Sequence, residues 1–462
     1  MKRINKYVEE RGCHTNRTVC GNIIVVLETT HWRQESIMLT GMDRILQLVD
    51  EYPERKLQTL MHLINKTTLK EVHKKQEASK ASGIDKVTKA TYNKNLDENI
   101  ENLLARMKTF SYRPQPVRRT YIEKENKNEA RPLGIPAYED RLVQGVIAEI
   151  LNTIYEPRFY EFSYGFREAL NCHEAIKHLD KILMGKTGWV VDADIKGFFD
   201  NVDHEWMMKF LEHEIADKNL LRYIKRFLKA GVMEAGNFTE TDTGVPQGGL
   251  CSPVMANIYL HYVIDMWFEV REKKASKGMA EMVRYADDTV FCFQYEDDAR
   301  RFYKALKERL AKFGLELSEQ KSKIIKFGRF AGNNAEKFDF LGFTVITGTT
   351  RNGKYVPKYV TSEKKLKVKR TKTKKWIRAN MHTPIINLID KLNLKLRGHY
   401  NYYGISFNMR KMLGFRKYVI YELFIALKRR SNDSKMNWSK FEKITEHNPI
   451  LFPKITVPLW QM

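Results

Sequence analysis

The chain has 462 residues, 43% of them hydrophobic, and a formal net charge of +24. That length supports more than one core. Five scattered cysteines with no C-x-x-C pair argue against a disulfide framework or a zinc site, and no apolar run is long enough for a membrane span. The charge excess points to a polyanionic partner, most often nucleic acid. The basic N-terminus MKRINKYVEERG leads into no apolar signal core, so a cytoplasmic protein is the default.

Residues 1–41 mix polar, basic and short apolar runs without a sustained period. They read as a loose extension, or as translated sequence upstream of the true start. From Met42 the apolar residues take helical spacing, broken at Pro53. Leu96, Ile100, Leu103 and Leu104 mark the next helix. Val117–Glu123 and Ala130–Ile135 read as a basic hairpin joined by a polar loop over 124–129. Apolar residues at 142, 143, 146, 147, 150, 151 and 154 predict an amphipathic helix over 139–156. WVVDADI, at 189–195, reads as a buried strand, and Asn201-Val-Asp203 offers an N-cap to the helix that follows. A helix is expected over 218–229. The turn-rich GVPQGGLCSP, at 244–253, opens a long apolar helix.

VRYADDTVFC, at 283–292, then predicts an apolar hairpin with Asp287 and Asp288 at its tip and Cys292 as a small core residue. A helix over 296–313 and strands near 322–327 and 337–345 follow. The last hundred residues change character. Lys364, Lys365, Lys367, Lys369, Arg370, Lys372, Lys374, Lys375 and Arg378 face Glu363 alone, ahead of helices with basic and tyrosine-rich faces.

Two adjacent carboxylates in an apolar hairpin are costly unless compensated. Asp194 ends another apolar strand, and adjacent strands would bring it to Asp287 and Asp288. Such a hard-oxygen cluster suits Mg²⁺. A pair of ions about 4 Å apart would activate a 3′ hydroxyl and stabilise a leaving pyrophosphate. Strand alternation puts Asp192 on the same face as Asp194, opposite Val191, Ala193 and Ile195, so spacing leaves open which of the two is the ligand. Asp200 and Asp203 precede a helix start and read more simply as caps or surface ion pairs. The Gly-rich turn at 244–253 is either a backbone cradle for phosphate or a base pair, or a plain helix entry.

Together these pieces resemble a reverse transcriptase of the group II intron type. YADD at 285–288 resembles the catalytic box, ADIKGFFDNVDH at 193–204 the first catalytic-Asp block, and PQGGLCSPVMANIYL the block whose Gln meets the nascent base pair. RPLGIP at 131–136 and SYGFR at 163–167 resemble fingers blocks, FLGF at 340–343 the block beside the primer, and LRGHYNYYGI at 396–405 the maturase, or thumb, region. The resemblance implies an α+β right-hand polymerase with a C-terminal α-helical thumb: 1–41 an extension, 42–345 fingers and palm, 346–462 the RNA-binding thumb. Asp194, Asp287 and Asp288 would hold two Mg²⁺, or Mn²⁺, helped by the Ile195 carbonyl. Lys124 and Arg131 would clamp the triphosphate, Phe199 would exclude a ribose 2′-OH, and Gln247 would line the nucleotide pocket. The basic run from Lys364 to Arg378 would bind RNA by neutralising phosphates. Tyr400, Tyr402 and Tyr403 are either stacking groups or thumb core, and core is the simpler reading.

The partners implied are an RNA template, the intron RNA, a DNA primer or target, and dNTPs, with no membrane. Nothing after residue 440 resembles the HNH endonuclease of some relatives, so the expected protein does not nick its own target strand and needs an existing primer. A non-enzymatic RNA-binding splicing factor on the same fold is the alternative. A relative recruited to phage defence, repair or CRISPR spacer capture is another.

Overall fold

The computed structural model describes residues 41–123, 130–430 and 436–459. The chain divides after Arg55 into two units. In the first, helix Gly41–Glu51 ends just ahead of Pro53, where proline cannot continue the hydrogen-bond ladder. The rest of the expected extension lies outside the described residues.

Within the second unit the described strands are, in chain order, β1 Val117–Glu123, β2 Ala130–Ile135, β3 Trp189–Ala193, β4 Val232–Glu234, β5 Asn237–Thr239, β6 Ala280–Tyr285, β7 Asp288–Phe293, β8 Lys323–Lys326, β9 Phe338–Phe340, β10 Phe343–Thr349 and β11 Tyr355–Thr361. They form a sheet of order β2-β1-β4-β5, a central sheet of order β6-β7-β3-β8, and a small sheet of order β11-β10-β9. With the helices between and after them, this is the α+β class.

Every neighbour in the central sheet is antiparallel. Its strands alternate apolar residues between two covered faces. Val190, Val290, Cys292 and Val283 pack against Ala175, Ile176, Leu179 and Leu183 of helix Cys172–Leu183. On the other face Phe291 and Phe293 meet Phe302 of helix Glu296–Lys312, with ring centroids 4.5 and 5.1 Å apart. Phe268, from the long apolar helix, closes on Phe291 at 5.4 Å. Helix Tyr138–Tyr155 is buried on nearly all sides, more fully than an amphipathic stripe requires.

The strand expected near 337–345 is two strands. The chain reverses at Leu341 and Gly342, both in the left-handed region at φ 48° and 79°. β10 runs past residue 345 and pairs along its whole length with β11, from Phe343↔Thr361 to Thr349↔Tyr355. The boundary expected after 345 therefore falls inside a strand, and the helical region begins at Glu363. There, helices Glu363–Ala379, Ile385–Tyr403, Met409–Lys428 and Trp438–His447 enclose a core that includes Leu366, Ile377, Leu392, Phe415, Val419 and Phe441. No helix among the described residues is long and apolar enough to cross a membrane.

Asp180, on helix Cys172–Leu183, is buried beneath the small sheet, where the Tyr359 hydroxyl faces its carboxyl. Burial pushes its carboxyl up to about 7; the groups around it are Tyr359 and Tyr355, with Cys292 beside Tyr359. Asp180 thus contributes most to stability while it is protonated. That single contribution should fall by up to about 4 kcal/mol as pH rises from near 4, where Asp180 ionises in the unfolded chain, to about 7, where it ionises in the folded one. Thermal melts across pH 5–8 should show Asp180→Asn melting above the parent at pH 8 and converging with it at pH 5.

Candidate active site

β6 and β7 pair down to Tyr285↔Asp288, leaving Ala286 and Asp287 as the turn. Ala286 sits at φ 57°, a conformation a residue with a Cβ holds only when its surroundings enforce it. β3 runs antiparallel to β7, and their last pair is Ala193↔Thr289. Continuing that register, Asp194 leaves β3 opposite Asp288. The Asp194 N–H donates to Ser322 Oγ at 3.1 Å, and its carbonyl accepts from the Ser318 N–H at 2.8 Å. Ile195 is buried and bridges to Leu317. Asp192 lies on the same face but deeper, between Val290 of β7 and Lys323 of β8.

Burial, then the charges of Asp287 and Asp194, push Asp288 up to about 7, opposed by a hydrogen bond from the Leu341 backbone and by the Lys365 charge. Asp192 is likewise pushed up to about 7 by burial, then by Asp288, Asp194 and Asp339. One end of the sheet therefore gathers carboxylates whose charges raise the pKa of Asp192 and Asp288. Lys321 supplies some compensation, with its Nζ 3.1 Å from Asp194 Oδ2.

The donor chemistry fits a hard divalent cation, which takes one or two carboxylates and completes its shell with water or phosphate oxygens. Among the described residues no three His, Cys, Asp or Glu side chains converge closely enough to hold a metal unaided. The remaining ligands would have to come from solvent and substrate.

A second group of expected site residues is joined through the backbone into a wall. The Val245 N–H donates to the Phe199 carbonyl and the Gly244 N–H to that of Val202, both at 2.7 Å. The turn carrying Gln247 is thus stitched to the segment carrying Phe199. The Gln247 carbonyl in turn accepts from the Gly134 N–H of β2 at 2.6 Å. Gly248, at φ 116°, comes so close that a Cβ there would lie 2.6 Å from the Gly134 carbonyl oxygen. Phe199, Gln247 and the β1–β2 hairpin are therefore contiguous. Arg131 pairs with Ile122 in that hairpin; Lys124 lies outside the described residues. Asp203 caps helix His204–Glu214 by accepting from the Trp206 N–H at 2.8 Å.

The basic run is one helix, and its cations do not all face the same way. Lys364, Lys367, Lys372, Lys375 and Arg378 are exposed. Lys374 turns into the bundle to pair with Glu422 at 2.6 Å, and Arg370 lies over the Tyr418 ring. Lys369 is half-buried, its ammonium held below the usual lysine range by burial and then by the charges of Lys395 and Lys372. Lys365 is exposed but within electrostatic reach of Asp288. The tyrosines are packing groups: Tyr400 is buried in the bundle core. The Tyr402 ring stacks on Phe343 and its hydroxyl donates to the Leu341 carbonyl at 2.8 Å. Tyr403 packs on Phe343 and His399. Sequence reasoning missed Lys321, which no local pattern marks, and the orientation of Lys365.

Residues 122–345 match the family described as reverse transcriptase (RNA-dependent DNA polymerase). Protein YkfC of Escherichia coli K12 is 34% identical over 271 residues, which cover 52% of this chain and 71% of that protein. The chain belongs to the reverse transcriptase family. The group II intron-encoded protein LtrA of Lactococcus lactis is 42% identical over 177 residues, covering 38% of this chain and 29% of LtrA. A putative COX1/OXI3 intron 1 protein of Saccharomyces cerevisiae is 32% identical over 171 residues, 37% of this chain and 20% of that protein. The matches thus span less than a third of the length of these last relatives. Reverse transcriptases in general depend on metal ions.

The contact between Gly134 and Gly248 is a stability test of the wall. Gly248→Ala combines a strained φ with a clash, and should cost about 1–3 kcal/mol in a denaturant titration. Gly353→Ala, at φ 73° with nothing within 4 Å, should cost measurably less.

Proposed function

We propose that the chain is an RNA-directed DNA polymerase that extends a DNA primer on an RNA template, and a maturase that binds the intron RNA encoding it. The observation that carries the reading is the β3–β7 register, which sets Asp194 against Asp288 beside the turn residue Asp287. In this reading Asp194, Asp287 and Asp288, with the Ile195 carbonyl, hold two Mg²⁺; Mn²⁺ is the alternative ion. Bound there, the ions would supply activation of the primer 3′ hydroxyl and stabilisation of the leaving pyrophosphate. Lys124 and Arg131 steady the triphosphate, which suits their charge-assisted hydrogen bonding. Phe199 presses on the sugar edge where a 2′-OH would sit, selecting dNTPs, and Gln247 lines the pocket from the loop fastened to β2.

The exposed cations Lys364, Lys367, Lys372, Lys375 and Arg378 neutralise RNA phosphates. Lys374 and Arg370 brace the helix that presents them.

Primer extension tests the enzyme reading: purified protein, an RNA template with an annealed DNA primer, dNTPs and Mg²⁺. Wild type should make cDNA and Asp287→Ala none. Tight binding of structured RNA with no cDNA from the wild type would overturn the polymerase in favour of the splicing factor. The thumb assignment has its own readout. Replacing Lys364, Lys367 and Lys375 together with Ala should weaken RNA binding and lower the slope of log affinity against log salt by about 2–3, since each lost phosphate contact removes ~0.7–0.9.

A further inference from the structure

Arg284 lies at the end of β6, just ahead of the turn, and is completely buried. A guanidinium survives there only if it is paired and its donors are satisfied, and this one is. Its Nε and Nη2 donate to the two carboxylate oxygens of Asp265 at 2.7 and 2.6 Å. Its Nη2 also donates to Ser163 Oγ at 2.7 Å. Its Nη1 donates to Asn257 Oδ1 and to the Ala286 carbonyl, both at 3.0 Å.

These partners come from separate parts of the chain. Asn257 lies on helix Ser252–Leu260, and Asp265 on the π-helical turn His261–Asp265 that continues it. Such turns insert a residue into a helix and recur at functional sites. Ser163 belongs to SYGFR, whose backbone is fastened to the same residue: the Arg284 N–H donates to the Phe162 carbonyl and the Tyr164 N–H to the Arg284 carbonyl, both at 2.8 Å. Asn257 Nδ2 donates to the Gly165 carbonyl at 2.6 Å. Gly165 then lies so close to the turn that a Cβ would be 2.2 Å from the Ala286 nitrogen. Nearby His261 does not compete for Asp265 as a cation, because burial lowers it to about 4.

We propose that Arg284 is a positioning residue for the polymerase reaction: by gripping the Ala286 carbonyl it holds the turn in its left-handed conformation and sets the direction of Asp287 and Asp288. This rests on the reading of that Asp pair as the metal-holding carboxylates. The carbonyl it grips belongs to the residue that carries the strain. The Asp265 pair compensates the charge, and Asn257 and Ser163 orient the fork. A lysine would keep the charge but lacks the planar fork that reaches all four partners at once.

The test uses the full chain in single-turnover primer extension with Arg284→Lys, Asn257→Ala and Asp287→Ala. Asn257→Ala leaves the Arg284–Asp265 pair in place and so guards against a variant that fails to fold. Maximum rate, dNTP half-saturation, Mg²⁺ half-saturation, primer–template affinity and melting temperature are read for each. For Arg284→Lys and Asn257→Ala the maximum rate should fall about 10- to 100-fold, as expected when reacting groups are displaced by about an ångström. Mg²⁺ half-saturation should rise several-fold, while dNTP half-saturation and primer–template affinity stay within about twofold of wild type.

A folded Asn257→Ala protein with wild-type rate and Mg²⁺ dependence, beside an inactive Asp287→Ala, would overturn the positioning role alone. A rate loss matched by an equal loss of primer–template affinity would also overturn it, since that marks general damage. Wild-type extension by Asp287→Ala would instead overturn the metal-site reading beneath it.

Discussion

Two adjacent carboxylates at the tip of an apolar hairpin, with a third at the end of the neighbouring strand, impose the condition that the surrounding structure meets. Charge gathered at one end of a sheet tends to protonate or push apart. The protein resists the second by making the sheet stiff. All four strands are antiparallel, one face is sealed by Val190, Val290 and Cys292 on helix Cys172–Leu183, and the other by Phe291 and Phe293 on Phe302. It tempers the first with Lys321 on Asp194 and with Lys365 within reach of Asp288. A hard divalent cation is the kind of ligand such a carboxylate cluster suits.

Rigidity also comes from backbone packed directly on backbone. Gly248 against the Gly134 carbonyl and Gly165 against the Ala286 nitrogen are contacts that no side chain could replace. The first joins the loop bearing Gln247 to the β1–β2 hairpin. The second braces the turn bearing Asp287. These glycines are valuable for the distance they permit, and at Gly248 also for the φ it adopts.

What could be read from the sequence was what local pattern controls. The β1–β2 hairpin, the β3 strand, the Asp203 cap and the YADD hairpin follow from alternation, turn chemistry and capping, each written within a few residues. β11 was missed although Asn352-Gly353 is a hairpin signal; the flanking TGTT and KYVPK are polar or proline-bearing and give it no clean apolar alternation. The basic run looked uniform as a string, yet the bundle buries Leu366, Thr373 and Ile377 and so turns Lys374 inward while leaving Lys375 outside. Arg284 could not be read at all, since its partners at 163, 257 and 265 meet it only in the folded chain.

Leu341 shows why the C-terminal bundle is no detachable appendage. Its backbone donates toward Asp288, while its carbonyl accepts the Tyr402 hydroxyl from helix Ile385–Tyr403. The next residue, Gly342, accepts through its carbonyl from the Ser362 N–H, where helix Glu363–Ala379 begins. Lys365, one turn along, brings its charge to the same carboxylate. A shift of the bundle would therefore change the hydrogen bonding and the electrostatics of Asp288 together, the first through the reversal between β9 and β10 and the second through Lys365. In the proposed enzyme, RNA held on the outer face of that helix and the chemistry at the Asp pair are connected through that left-handed turn and through Lys365.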